Sequence, residues 1–307
     1  MEEEQITAAR TRVGWIGTGV MGSAMCARVQ AAGYHVTIYA RTPAKISALC
    51  LNGAASVESP RAVGERSDVV FTIVSNPSDV RQVILGTDGV LSGLAPGGIL
   101  VDMTSSQPSL AREIFEQATA KGCDSVDAPV SGGDRGAENG TLAILAGGRR
   151  ETVAKLEPLF RCMGSATYLG PPGSGQTCKL ANQITVAGSQ CGLSEGLVFA
   201  RKVGLDVRKY LSAISGGAAG SKVMELVGER IIERDFATGG PVKYMAKDLG
   251  MALEEGEKRE VSLPGSALLE QLYVSLKANG GGELGLPSFI TAFERLNNLS
   301  SPLPTNK

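Results

Sequence analysis

Residues 12–25 read RVGWIGTGVMGSAM, and the fold turns on how this stretch is taken. RVGWIG (12–17) is a short apolar run with the look of a buried strand. VMGSAMCARVQAAG (20–33) follows as a helix closed by Gly33, and HVTIYA (35–40) as the next strand. Between the first strand and the helix lies G-x-G-x-x-G, at Gly17, Gly19 and Gly22. Alone that pattern is weak. After a strand, before a helix and at the head of a βαβ unit, it is a dinucleotide fingerprint. Gly17 allows the tight turn, and Gly19 lets backbone N–H groups approach a pyrophosphate at the helix N-terminus. Gly22 allows close helix–strand packing. Met21, inside the motif, joins them as a cofactor contact. The bland alternative is a glycine-rich turn that holds no ligand.

Outward from this unit, strand candidates recur at 68–75, 97–103, 141–148 and 166–170, with helical patterns between them such as SLAREIFEQATAKG (109–122). Alternating βαβ units imply a parallel sheet covered on both faces. The character changes near PPGSG (171–175). From 175 to 204 the chain reads as one long helix, with Gly188, Gly192 and Gly196 on one face, a stripe suited to tight helix packing. Further helices are expected around 206–215, 221–234, 241–259 and 263–279. The fold class is therefore α/β, an N-terminal Rossmann-type doubly wound sheet in residues 1–173. An all-α C-terminal domain in residues 174–307 follows, the two joined by a long interdomain helix.

Composition narrows the function. The 30 basic and 31 acidic residues nearly cancel, which leaves no basic excess for a nucleic-acid surface or a polybasic membrane patch. Six scattered cysteines without a C-x-x-C pair fit a reducing compartment rather than a disulfide framework or a zinc site. One histidine, His35, makes poly-histidine metal sites and Ser-His-Asp catalysis difficult to build. The acidic start MEEEQITAAR fits neither a signal nor a transit peptide. The expectation is a cytoplasmic protein, or one of an organellar matrix if this sequence is a processed form.

After the second strand comes YARTP. An NAD site usually places Asp or Glu here to accept the ribose hydroxyls. This chain offers Arg41, helped by Thr42, and a guanidinium binds a 2′-phosphate with charge-assisted hydrogen bonds. That reads as NADP, with NAD possible. A surface arginine stacked on adenine is the alternative.

Hydride transfer needs a group to manage the hydroxyl or carbonyl proton. His35 lies at the wrong end of the sheet for this, and the Tyr273-x-x-x-Lys277 pair falls in the all-α tail. Lys179, in GSGQTCKLANQ (173–183), stands on a helix just past the sheet domain and is the remaining candidate. In isolation it would be an ordinary solvated helix lysine. In DAPVSGGDRGAENGTL (127–142), the backbone amides of Gly132 and Gly133 and the Ser131 hydroxyl can form a small anion nest.

Four stretches, GWIGTGVMGSAM, DAPVSGGDRGAENGTL, GSGQTCKLANQ and AKDLGMA (246–252), together resemble the β-hydroxyacid dehydrogenases. They come in the family's order at the family's spacing and cover nearly the whole chain. The resemblance implies an NADP-dependent oxidoreductase acting on a small carboxylate-bearing substrate of the glyoxylate, succinic semialdehyde or 3-hydroxyisobutyrate class. By the same resemblance Lys179 is the general acid/base, and burial in the interdomain cleft would draw it toward the useful pH range. Asn182, on the same helix face, binds substrate or holds the lysine. Ser131, Gly132 and Gly133 take the substrate carboxylate, and Ser105 lies near both nicotinamide and substrate. Val74 and Ser75 run under the cofactor, Lys247 reaches the cofactor side and Asp248 holds Lys247. A homo-oligomer formed through the all-α domain is also implied. Two departures stand out. Gln183 replaces a second asparagine, and Gly240 stands where many members carry an aromatic near the substrate, a place Phe236 or Tyr244 could fill. A non-catalytic dinucleotide-binding scaffold and a 6-phosphogluconate-type enzyme are the competing readings.

Overall fold

The computed structural model describes residues 5–237 and 240–299. The chain divides into two compact units, Met1–Lys179 and Leu180–Lys307.

In the first unit, β1 (Arg12–Ile16), β2 (His35–Tyr39), β3 (Ala55–Ser56), β4 (Val69–Thr72), β5 (Ile99–Asp102) and β6 (Asp124–Asp127) pair in parallel in the order β3-β2-β1-β4-β5-β6. That is the doubly wound order, with the chain reversing direction across the sheet between β1 and β4. Strand residues alternate between two apolar layers. Val13, Trp15, Val69, Phe71, Ile99 and Val101 enter one cluster. Ile16, Val70 and Leu100 enter the other, on the opposite face. Both faces are thus dry, as expected where helices cover a parallel sheet on each side. The Val20–Ala31 helix follows β1, and the Pro108–Ala120 helix joins β5 to β6.

The sheet's far edge departs from the all-parallel expectation. After β6 the chain forms β7 (Val130–Ser131), the short Gly133–Asn139 helix and β8 (Leu142–Gly147). Strand β8 runs antiparallel to both β6 and β7, and β9 (Gly164–Gly170) then pairs with β8 in parallel. About ten residues, 132–141, separate β7 from β8, short of the dozen that a crossover to a parallel neighbour needs, so β8 returns antiparallel to β7.

The Ser174–Lys202 helix begins in the first unit and continues into the second. There it is joined by helices Val207–Ser215, Lys222–Glu233, Val242–Lys258, Pro264–Leu276 and Ile290–Leu296. Tyr273 is fully buried in their core, stacked on Phe289 with ring centroids 3.9 Å apart, its hydroxyl donating to Gln190 Oε1 at 3.1 Å. It is a packing residue. The glycine stripe behaves unevenly. A Cβ at Gly196 would fall 2.4 Å from the Tyr210 hydroxyl, whereas at Gly188 or Gly192 it would meet nothing within 4 Å. Of the three, Gly196 is the one whose small size the chain's own packing uses.

Candidate active site

The fingerprint turn is built under steric compulsion at two of its glycines. Gly17 has φ +100°, and a Cβ there would lie 1.9 Å from the Ile73 carbonyl oxygen. A Cβ at Gly22 would lie 2.1 Å from the Gly17 carbonyl oxygen, so helix and turn meet as closely as backbone allows. Trp15, fully buried and stacked on Phe71, donates its indole N–H to that same carbonyl at 3.0 Å. Gly19 is different. Its φ of −71° suits any residue, and a Cβ would meet nothing within 4 Å. The fold itself does not ask for glycine at this position. A pyrophosphate lying against the backbone does, and the cradle therefore fits a dinucleotide. Met21 is half-buried on the first turn of the helix, packed on the core.

The other expected cofactor contacts of the first unit sit at the carboxyl ends of the parallel strands, where such sheets bind ligands. Arg41 and Thr42 follow β2 and are exposed. The Arg41 guanidinium is 3.3 Å from Asp79, whose other oxygen accepts from Asn76, the cap of the Pro77–Leu85 helix. With Arg41 69% exposed this pair is weak, and the guanidinium can swing to another anion. Val74 and Ser75 follow β4, and the Val74 N–H donates to Thr104 Oγ1 at 2.9 Å. Ser105 is half-buried in the loop after β5.

Lys179 is buried, with 7% of its surface exposed. Its Nζ donates to the Val130 carbonyl at 2.8 Å. Val130 immediately precedes Ser131, Gly132 and Gly133, the last two at φ +138° and +67°. The sequence pairs Lys179 with the serine–glycine loop only through resemblance; here the ammonium is one residue from it. The helix carrying Lys179 is anchored by residues to which the sequence assigned no role. Asp127 accepts from the N–H groups of Gly173 and Gln176, at 2.7 and 2.8 Å. The fully buried Gln176 side chain donates to the Thr104 carbonyl and accepts from the Ser106 N–H, at 2.7 and 2.8 Å. Desolvation pushes the Asp127 carboxyl up to about 7, against the pull of its amide partners, and the nearby Asp102 adds to the rise. The available signal was an acid between Val126 and Ala128 at the head of the DAPVSGG stretch.

In the second unit, Asn182 donates to Gln183 Oε1 at 2.9 Å, and Gln183 Nε2 donates to Asp248 Oδ2 at 2.6 Å. Lys247 Nζ lies 3.3 Å from Asp248 Oδ1. Gln183, with one methylene more than asparagine, thus links Asn182 to the Lys247–Asp248 pair. Phe236 is buried in the helical core and is not available to replace a missing aromatic at Gly240. Tyr244 is half-buried, its ring 5.8 Å from Lys247 Nζ.

Residues 12–170 match the family model described as the NAD binding domain of 6-phosphogluconate dehydrogenase. Residues 173–293 match the one described as NAD-binding of NADP-dependent 3-hydroxyisobutyrate dehydrogenase. The chain is 55% identical over 296 residues to the probable 3-hydroxyisobutyrate dehydrogenase-like 1, mitochondrial, of Arabidopsis thaliana, spanning 96% of this chain and 89% of that one.

This chain belongs to the β-hydroxyacid dehydrogenase family.

A second β-hydroxyacid dehydrogenase relative, 2-hydroxy-3-oxopropionate reductase of Escherichia coli (strain K12), is 38% identical over 288 residues, or 94% of this chain and 98% of that one. Among solved structures, 3-hydroxyisobutyrate dehydrogenase of Mycobacterium tuberculosis with L-serine superposes with a TM-score of 0.84 at 27% identity, covering 92% of this chain and 99% of that one. The protein is an NAD(P)-dependent oxidoreductase of the hydroxyacid dehydrogenase type. Among the described residues no helix is long and apolar enough to cross a membrane.

Proposed function

We propose that this protein reduces a short semialdehyde or 2-oxo acid bearing a carboxylate, or oxidises the corresponding hydroxy acid, with NADP(H), and that Lys179 carries the proton. The observation that supports this best is the buried Lys179 ammonium, hydrogen-bonded to Val130 beside the Ser131–Gly133 loop. A solvated helix lysine has no reason to be there, since burying an ammonium is costly unless it is used or paired. When bound, the nicotinamide supplies or accepts the hydride. Lys179 donates a proton to the carbonyl oxygen during reduction and accepts the hydroxyl proton during oxidation. An ammonium has three N–H donors, so the contact with Val130 does not preclude donation to a substrate oxygen. Ser131, Gly132 and Gly133 hold the substrate carboxylate, with Ser105 beside it. Gly17, Gly19, Met21 and Gly22 receive the pyrophosphate, and Val74 and Ser75 lie along the cofactor.

Arg41 and Thr42 favour the 2′-phosphate of NADP, because the first unit offers an exposed guanidinium where an NAD site would place a carboxylate. By resemblance, Asn182 and Lys247 of the second unit complete the substrate and cofactor contacts. The same resemblance supports a homo-oligomer assembled through the helical unit. Within the substrate class, the relatives' names favour 3-hydroxyisobutyrate and 2-hydroxy-3-oxopropionate, and Gly240 leaves room for a larger chain than an aromatic would. The mitochondrial designation of the Arabidopsis relative favours an organellar matrix over the cytoplasm.

The test is turnover of NADPH and NADH against a panel of small semialdehydes and 2-oxo acids, with wild type and Lys179→Ala. The variant is expected to lose on the order of 10²–10⁴ in kcat while still binding cofactor. Unchanged turnover would remove Lys179 from the mechanism.

A further inference from the structure

The polar residues most deeply buried around the lysine helix do not belong to the proposed reaction, and their arrangement calls for an explanation. Asp127 ends β6 with 5% of its surface exposed. Both its oxygens are spent on the start of one helix, Oδ1 on Gly173 N–H and Oδ2 on Gln176 N–H. Gln176 grips a different piece of chain. Its amide donates to Thr104 O and accepts from Ser106 N–H, so both ends of the side chain hold the loop after β5. That loop is itself fixed, because Thr104 N–H donates to Asp102 and Thr104 Oγ1 accepts from Val74 N–H. The first turn of the helix is therefore tied to the ends of two neighbouring strands.

The packing leaves this turn no slack. A Cβ at Gly175 would fall 2.3 Å from the Leu145 carbonyl oxygen and 2.4 Å from that of Asp127. A Cβ at Gly147 would fall 2.6 Å from Gly175 N and 2.8 Å from Asp127 Oδ1. Lys179 stands three residues, nearly one turn, beyond Gln176, and so shares its side of the helix. Rotating or sliding the first turn moves Lys179 directly. Its ammonium is received by Val130, three residues after Asp127 on the same short connection. Asp127 and Val130 thus hold the two ends of one helical turn.

A helix start needs only a neutral cap, and serine or asparagine would provide it without burying a charge. The carboxylate adds acceptance at both oxygens, so two N–H groups are fixed by one rigid plane. We propose that Asp127 and Gln176 are positioning residues that set the place of Lys179, Asp127 fixing the height of the first helical turn and Gln176 its rotation. Neither touches substrate or cofactor in this scheme; they act through the lysine. This rests on the assignment of Lys179 as proton carrier.

Asp127→Asn keeps one accepting oxygen and turns an NH₂ group toward an N–H donor. It is expected to lower kcat about 10- to 100-fold, as a misplacement on the order of 1 Å does. NADPH affinity should stay within about two-fold of wild type. The primary isotope effect with deuterated NADPH should rise as the chemical step slows, which a smaller folded fraction would not produce. Hydrogen exchange at the Gly173 and Gln176 amides should quicken, whatever the substrate. The deciding measurement is the cycle with Lys179→Ala. In that background Asp127→Asn should cost no further kcat, because there is no lysine left to misplace. Losses that multiply, unaltered exchange at the two amides, or unchanged kcat in the single variant would each overturn the positioning role. Should Asp127→Asn fail to fold, Gln176→Glu enters the same cycle, retaining the acceptor for Ser106 and losing the donor to Thr104. Full turnover by Lys179→Ala alone would instead show that the reading of Lys179 had failed, and the positioning role with it.

Discussion

Asp127 in the first unit and Glu294 in the second are both buried acids, with 5% and 3% of their surface exposed, and they are held in opposite ways. Asp127 is received by backbone amides at a helix start. Glu294 is clamped by arginines. Arg234 Nη1 lies 2.7 and 2.8 Å from its two oxygens, and Arg201 Nη1 lies 3.4 Å away. Arg234 also places its guanidinium 4.7 Å from the Phe236 ring centroid. A cation neutralises a buried acid and turns it into a bolt between helices. Amides fix geometry instead, without cancelling the desolvation that raises the carboxyl to about 7. The buried acid of the first unit thus orders a helix start, and that of the second ties helices together.

The sharpest way to break this contrast is at the glycine whose space the fold leaves open. Gly19→Val should weaken dinucleotide binding about 100-fold, near 3 kcal/mol, with the melting temperature unchanged. Calorimetric titration and thermal unfolding of the same sample check both halves. If the variant melts early with normal affinity, the open space at Gly19 is structural. Next in size, Arg234→Ala should cost about 2 kcal/mol of stability, since Glu294 would keep only the longer Arg201 contact in a buried setting. Denaturant unfolding measures this, and cofactor affinity should not move.

The smallest effect lies in pH. Folding raises the Asp127 carboxyl to about 7, chiefly by desolvation, so the folded state binds this proton more tightly than the unfolded chain. Its contribution to stability is complete below the unfolded value near 4 and is lost as pH rises through about 7. Comparing wild type with Asp127→Asn from pH 8 to pH 4 should show wild type gaining stability on acidification relative to the variant. Local opening of the first turn keeps the effect below the full shift. A flat difference would mean that Asp127 is not titrating in this range.

Much of the architecture was legible in the sequence because its signals are local. Gly17, Gly19 and Gly22 mark a strand–turn–helix within a dozen residues, and the apolar runs at 12–17, 35–40 and 97–103 announce strands by composition. The strand β6 escaped because Asp124, Ser125 and Asp127 spoil its apolar pattern. Both acids have a distant reason to be polar: Asp124 pairs with Arg149 at 2.8 Å, and Asp127 caps a helix 46 residues later in the chain. The antiparallel return through β7 and β8 was hidden for a related reason, since strand direction follows from the length of the connection and not from composition. Within the candidate site, Lys179 and the Ser131–Gly133 loop stood out by resemblance. The Gln176–Thr104 contact joins residues 72 apart and has no periodic signature.

The chain contains one tryptophan, Trp15, and the fold seats it fully buried with its indole N–H on the carbonyl of Gly17. The molecule therefore carries a single indole, hydrogen-bonded to the first glycine of its cofactor turn. Its emission reports the state of that turn without contamination from any other indole. Reduced nicotinamide absorbs where indole emits, so the protein also contains its own energy donor for watching the dinucleotide arrive and leave.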